Sequence, residues 1–132
     1  HVGGGENMST KVDLYPDREY TFSSYVEAGS FVFTSHQGGA GEDVASQLEA
    51  AFQSLRDTLK PAGAGLDDVV KINMLLKNKE DFPLTKDVYR RVFKNSFPAR
   101  TTIITDFVSE GILVQIDAVA YMDKQGNNAS GF

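Results

Sequence analysis

A single arginine, Arg100, follows Phe97-Pro98-Ala99 and opens the alternating run RTTIITDF, residues 100–107. Proline fixes the backbone approach to it. A guanidinium held in such a place can grip a carboxylate through two parallel hydrogen bonds. The same residue could serve a structural ion pair, and chemistry alone leaves the two readings level. Fifteen residues further on, Gln115 interrupts a strand-like segment, GILVQIDAVAYM. An amide has no useful proton affinity near neutral pH, so Gln115 is no general base. It can line a ligand cavity or an interface. Ser35 and His36 are neighbours in SFVFTSHQ. In a regular strand they point to opposite faces and form no Ser–His dyad. His36 is the only histidine besides His1, and there is no cysteine, so no spacing favours a zinc site. Gly38–Gly41, GGAG, lacks both the P-loop lysine and the full dinucleotide fingerprint, and reads as a strand-to-helix turn.

The elements that must position these residues follow from periodicity. Tyr20–Gly29 and Ser30–Gln37 read as two strands within hairpin distance. In the second, Phe31, Phe33, Ser35 and Gln37 share one face, with Val32, Thr34 and His36 on the other. From Asp43 to Leu59, Val44, Leu48, Ala51, Phe52, Leu55 and Leu59 recur at steps of three and four, one apolar stripe of a helix. Acids at Glu42 and Asp43 suit its first turn, and Pro61 and Gly63 end it. Residues 68–78 alternate as a strand, with Val70, Ile72, Met74 and Leu76 on one face and Val69, Lys71, Asn73 and Leu75 on the other. Residues 81–93 form a second helix, with Asp81 as N-cap, Pro83 in the first turn and Leu84, Val88, Val92 and Phe93 buried. Residues 100–107 and 111–122 are the last two strands. In the final one Ile112, Val114, Ile116, Ala118, Ala120 and Met122 make one apolar face. Leu113, Gln115, Asp117, Val119 and Tyr121 make a mixed one.

The order β-β-α-β-α-β-β predicts a two-layer α+β domain whose two helices cover one face of a sheet of about five strands. The other face carries Val, Leu and Phe beside polar groups without helices to hide behind, so burial against further copies of the chain is expected.

Composition narrows the function classes. The chain has 132 residues, enough for one domain, with 41% hydrophobic and 23% charged residues and a net charge of −5. The acidic balance disfavours a nucleic-acid partner. The one basic cluster, Arg90-Arg91 with Lys94, reads as a solvated helix face. No segment has the roughly 18 consecutive apolar residues of a membrane span. The lack of cysteine is compatible with a reducing, cytoplasmic setting. Residues 1–7, HVGGGEN, read as an expression-tag remnant ahead of Met8. Residues 8–123 make the domain, and 124–132 a polar C-terminal tail.

Four runs then bring a family into view: residues 41–82, VYRRVF (88–93), FPARTTI (97–103) and ILVQIDAVA (112–120). With them the chain, from about Tyr20 to Met122, resembles the Rid/YjgF family of reactive intermediate deaminases, also called endoribonuclease L-PSP. The resemblance implies a chorismate-mutase-like fold and a homotrimer with ligand clefts between subunits. It also implies hydrolysis of 2-aminoacrylate-like enamines and imines to 2-keto acids and ammonia, with no metal or organic cofactor. The family's carboxylate-binding arginine maps onto Arg100. Other positions depart from the family pattern. Its final-strand Val-Glu-Ile-Glu is Val114-Gln115-Ile116-Asp117, so the acidic catalytic position holds Gln115. Its Ser-Gly-Gln is Ser35-His36-Gln37. A first-strand Tyr is Phe22, a second-helix Asn is Lys86, and the small residue two after the arginine is Thr102.

The expected site is therefore Arg100 and Gln115 for catalysis, with Arg100, Phe22, Ser35, His36, Lys86 and Thr102 holding substrate. Two functions fit it. One is a Rid-type deaminase in which Gln115 orients water instead of deprotonating it. The other is a Rid-fold protein that binds a small carboxylate or keto acid with other chemistry or none.

Overall fold

The computed structural model describes residues 10–14 and 19–123. Six strands and two α-helices are arranged as β1 (Thr10–Leu14), β2 (Ser23–Ala28), β3 (Phe31–Thr34), α1 (Val44–Leu59), β4 (Val69–Leu76), α2 (Phe82–Val92), β5 (Ala99–Ile104) and β6 (Val114–Tyr121). They build one sheet in the order β1-β2-β3-β6-β4-β5. All neighbours run antiparallel except β4 and β5, whose parallel pairing requires the crossover that α2 supplies. The α+β architecture agrees with the sequence reading, and β1, antiparallel to β2, is an added sixth strand. The leader and tail assigned to residues 1–7 and 124–132 lie outside the described residues.

The core lies between the sheet and the helices. The predicted α1 stripe, from Val44 to Leu59, is buried in full. It packs on Val32, Ile72, Met74, Leu76 and the β6 residues Val114, Ile116, Ala118 and Ala120. Asp43 is the N-cap of α1 and not a first-turn residue: its carboxylate accepts from the Ser46 amide at 2.8 Å. Those hydrogen bonds hold its pKa below the ordinary carboxylate value. Gly63, at φ 86°, takes the left-handed conformation that closes the helix end.

Three details depart from the simple alternation. In β4, Val69 opposes Ala120 while Lys71 opposes Val119, so Val70 is an extra residue. This bulge turns Val70 away from the face expected for it with Ile72, Met74 and Leu76, and buries Val69 there instead. In β3, Phe33 opposes Val119, but the next bridge joins Gln37 to Ile116, again one residue out of step. Thr34 Oγ1 accepts from the Ala118 amide at 3.1 Å across the gap. The parity flips, and Gln37 turns under α1 away from Phe31 and Phe33. There its Oε1 accepts from Ser54 at 2.6 Å and Thr58 at 3.1 Å. In α2, Leu84 is 53% exposed, and Thr85 and Tyr89 are buried in its stead. Phe82 and Tyr89, two turns apart, thus define the inward face with Val88.

The GGAG segment is bound tightly to α1. A Cβ on Gly39 would lie 2.2 Å from Ala50 Cβ, and one on Gly41 2.3 Å from Ser46 Oγ. Buried Gln47 ties this segment to the loop before β6. Its amide donates to Gly41 O at 3.1 Å and Gly111 O at 2.9 Å, and its Oε1 accepts from the Leu113 amide at 2.8 Å. The segment is a packed turn.

Candidate functional site

Arg100 stands at the second position of β5, an edge strand, opposite Ile72 in the register. Ile72 faces the helices, so Arg100 does too, at the rim where β5 meets α2. There its guanidinium carbon sits 4.9 Å from the Tyr89 ring centroid and 5.4 Å from that of Phe82. These are cation–π distances. The side chain remains exposed, and no carboxylate lies within ion-pair distance of it among the described residues. Among those residues Arg100 therefore makes no structural ion pair.

Tyr89 is 3% exposed, and its hydroxyl is buried beside the Arg100 guanidinium. Burial pushes the phenol up to about 12, with the charge of Arg100 pulling the other way. At neutral pH the ring is therefore a neutral platform for the arginine and not its counter-anion. Arg100 and Tyr89 line a cavity of ≈ 520 Å³ together with Lys86, Arg90, Phe97 and Pro98. Lys86 Nζ lies 5.3 Å from the same Phe82 centroid.

Gln115 lies elsewhere. It opposes Leu75 on the sheet face away from the helices, half-buried. A second cavity, of ≈ 670 Å³, brings it together with Phe22, His36, Tyr20 and Asp117. The rings of Phe22 and His36 are 5.5 Å apart, and those of Phe22 and Tyr20 6.2 Å. The phenol missing at Phe22 is thus present in the same cavity on Tyr20. Thr21 between them adopts φ 61°, an uncommon conformation for a β-branched residue. Asp117 accepts from Asn73 at 2.9 Å. Gly38 packs over Gln115, where a Cβ would meet its Cγ at 3.5 Å.

The sequence-predicted residues therefore fall into two groups. Arg100 and Lys86 share one cavity; Gln115, Phe22 and His36 share another, and the two cavities have no residue in common. Ser35 and Thr102 line neither. The Ser35 hydroxyl donates to Ser23 O. Thr102, opposite Met74 in the register, is half-buried on the Arg100 side of β5. Ser35 and His36 do not form a dyad, but the reason differs from the regular-strand argument. The bulge breaks the strand there, the serine is engaged by β2, and the histidine lies against Phe22. Sequence reasoning missed Phe82, Tyr89 and Tyr20. The first two were legible as an i, i+7 aromatic pair in FPLTKDVY; Tyr20 was masked by its place at the strand entrance.

Among the described residues no group of three His, Cys, Asp or Glu side chains could hold a metal ion, and no helix is long and apolar enough to cross a membrane.

Comparisons with known proteins agree with this fold. The family model Endoribonuclease L-PSP matches residues 13–122. A RutC family protein of Pyrococcus abyssi is 30% identical over 110 residues, covering 77% of this chain and 87% of that protein. The 2-iminobutanoate/2-iminopropanoate deaminase of Dermatophagoides farinae is 27% identical over 118 residues, covering 83% and 92%. A solved yjgF-family structure from Streptococcus pyogenes superposes with a TM-score of 0.78 at 31% identity, covering 86% of this chain and 96% of that one. Matched by the family model over residues 13–122 and by the solved fold over most of its length, the chain belongs to the Endoribonuclease L-PSP, or Rid/YjgF, family.

Proposed function

We propose that the protein is a Rid-type deaminase that hydrolyses 2-imino acids and their enamine tautomers to 2-keto acids and ammonia. The observation that carries this reading is Arg100: an exposed guanidinium, steadied on two aromatic rings and lining a cavity. Its five donors suit a planar carboxylate. The deaminase name of the mite relative points to substrates of the same class.

The catalytic constellation is proposed to form between chains. Arg100 and Gln115 occupy separate cavities on opposite faces of the sheet, so one chain alone presents them to no common ligand. The face bearing Gln115 also carries Phe31, Phe33 and Tyr121, each 41–45% exposed, with the Phe31 ring in contact with the other two. Such a patch fits association into a homotrimer, which would bring one chain's Arg100 toward the next chain's Gln115 cavity. There Gln115 would orient a water toward the imine carbon, with Phe22, Tyr20 and His36 forming the wall. Positioning and electrostatics would supply the acceleration. The acidic net charge gives no support to RNA as a substrate.

The test is release of keto acid and ammonia from freshly generated 2-aminoacrylate, by protein whose sedimentation mass is that of three chains. Turnover above buffer is expected. A folded protein with no turnover, or one that sediments as a single chain while active, would refute the corresponding part. The amide at Gln115 favours one second reading, a binder of small keto acids with little chemistry. Gln115→Glu separates the two. On the enzyme reading it raises turnover by about tenfold, below the usual ~10²–10⁴ of general acid–base catalysis because the amide already orients the water. Activity that appears only in the variant supports the binding reading.

A further inference from the structure

The cavity served by Arg100 has more positive charge than one carboxylate needs. Lys86, Arg90 and Arg100 all line it, and no carboxylate is among its lining residues. This occurs in a chain with 18 acidic and 13 basic residues, where cations have ample acids to pair with. Arg90 has such a partner, Asp87, at 2.9 Å. Arg91, one residue on, faces away and pairs with Glu49. Lys86 and Arg100 have none among the described residues and converge on the ring of Phe82. Each lies within 5.4 Å of that one centroid, so the two charges are separated by no more than about 11 Å.

Two like charges brought to one ring repel each other, and an anion spanning them relieves that repulsion. A bidentate fork and a mobile ammonium suit different ends of one ligand. The fork holds a planar carboxylate in fixed orientation, and the lysine, a flexible point charge, accepts a second carboxylate at variable distance. Arg90, already neutralised by Asp87, adds little.

We infer that the cavity is a dicarboxylate clamp: the preferred ligands are 2-imino and 2-oxo dicarboxylates, with the α-carboxylate on Arg100 and the distal carboxylate on Lys86. This rests on the carboxylate-binding role proposed for Arg100.

Calorimetry on the intact chain with 2-oxobutanoate, oxaloacetate, 2-oxoglutarate and inorganic phosphate tests it. At least one dicarboxylate should bind about tenfold or more tightly than 2-oxobutanoate, the size of one additional charge-assisted hydrogen bond. The preference should shrink at high salt. Lys86→Met should collapse the dicarboxylate-to-monocarboxylate ratio to within about twofold. Arg91→Gln, which removes the same charge from the same helix outside the cavity, should leave the ratio unchanged. Equal affinities in the unaltered protein overturn the clamp while sparing the carboxylate site. A ratio that survives Lys86→Met, or falls equally in Arg91→Gln, overturns the role of Lys86. Phosphate binding more tightly than either dicarboxylate assigns the two charges to a different anion and overturns it too. Binding of no keto acid by folded protein removes both this inference and the reading of Arg100 on which it rests.

Discussion

Arg100→Ala should lower kcat/KM for 2-aminoacrylate by about 10²- to 10³-fold, with circular dichroism and sedimentation unchanged. The magnitude follows from the bonds lost. A bidentate guanidinium–carboxylate pair contributes two charge-assisted hydrogen bonds at roughly 1.5–3 kcal/mol each. Partial exposure of the site brings the sum toward about 3–4 kcal/mol, and each ~1.4 kcal/mol is tenfold in rate. The fold should survive because the side chain is at an exposed rim and makes no ion pair among the described residues. Arg100→Lys distinguishes charge from shape. It retains the cation but loses the planar fork and much of the stacking on Phe82 and Tyr89, so activity should fall between the unaltered protein and the alanine variant. Unchanged kcat/KM in Arg100→Ala would mean that the substrate carboxylate is held elsewhere.

Phe52→Ala should destabilise the protein by about 3–5 kcal/mol, seen as a lower urea midpoint at fixed protomer concentration. Phe52 is fully buried at the centre of the α1 stripe. Its ring meets Tyr89 edge-on at 5.3 Å and Phe93 at 5.4 Å. Truncation removes the transfer free energy of the ring, leaves a cavity and ends two edge-to-face contacts. Against a typical total stability of about 5–15 kcal/mol, the loss is large. Phe52→Leu refills most of the volume and should cost well under half as much. The same substitution reaches the site, because Tyr89 is the platform beneath Arg100. An alanine variant with an unmoved midpoint would show that α1 and α2 do not share one core.

The two helices and five of the six strands were legible because burial on one side imposes a strict period on the residues. Val114, Ile116, Ala118 and Ala120 could be assigned to the core without a structure, since a strand packed under helices admits few alternatives. The bulges at Val70 and between Thr34 and Gln37 were not legible. Each inserts one residue without changing local composition, and only the partner strand reveals the slip. Leu84 was misplaced for a related reason: a short helix with Leu, Val and Tyr on adjoining columns does not say which column faces inward. The edge position of β5 and the aromatic pair beneath Arg100 decided that question in favour of Tyr89. Arg100 and Gln115 stand out in the sequence as candidates, but their placement in separate cavities does not. Spacing along the chain says nothing of which sheet face a residue takes once bulges intervene.

That separation bears on what happens when altered and unaltered chains are made together. In the proposed ring of three, each chain contributes the arginine wall to one cleft and the glutamine wall to another. A chain defective at Arg100 alone would then spoil one cleft of its ring and leave two working. A chain damaged in both walls would spoil two. Loss of function at this protein would thus be a matter of dosage, graded by which wall is broken, and the altered copy would act partly through the clefts of its normal neighbours.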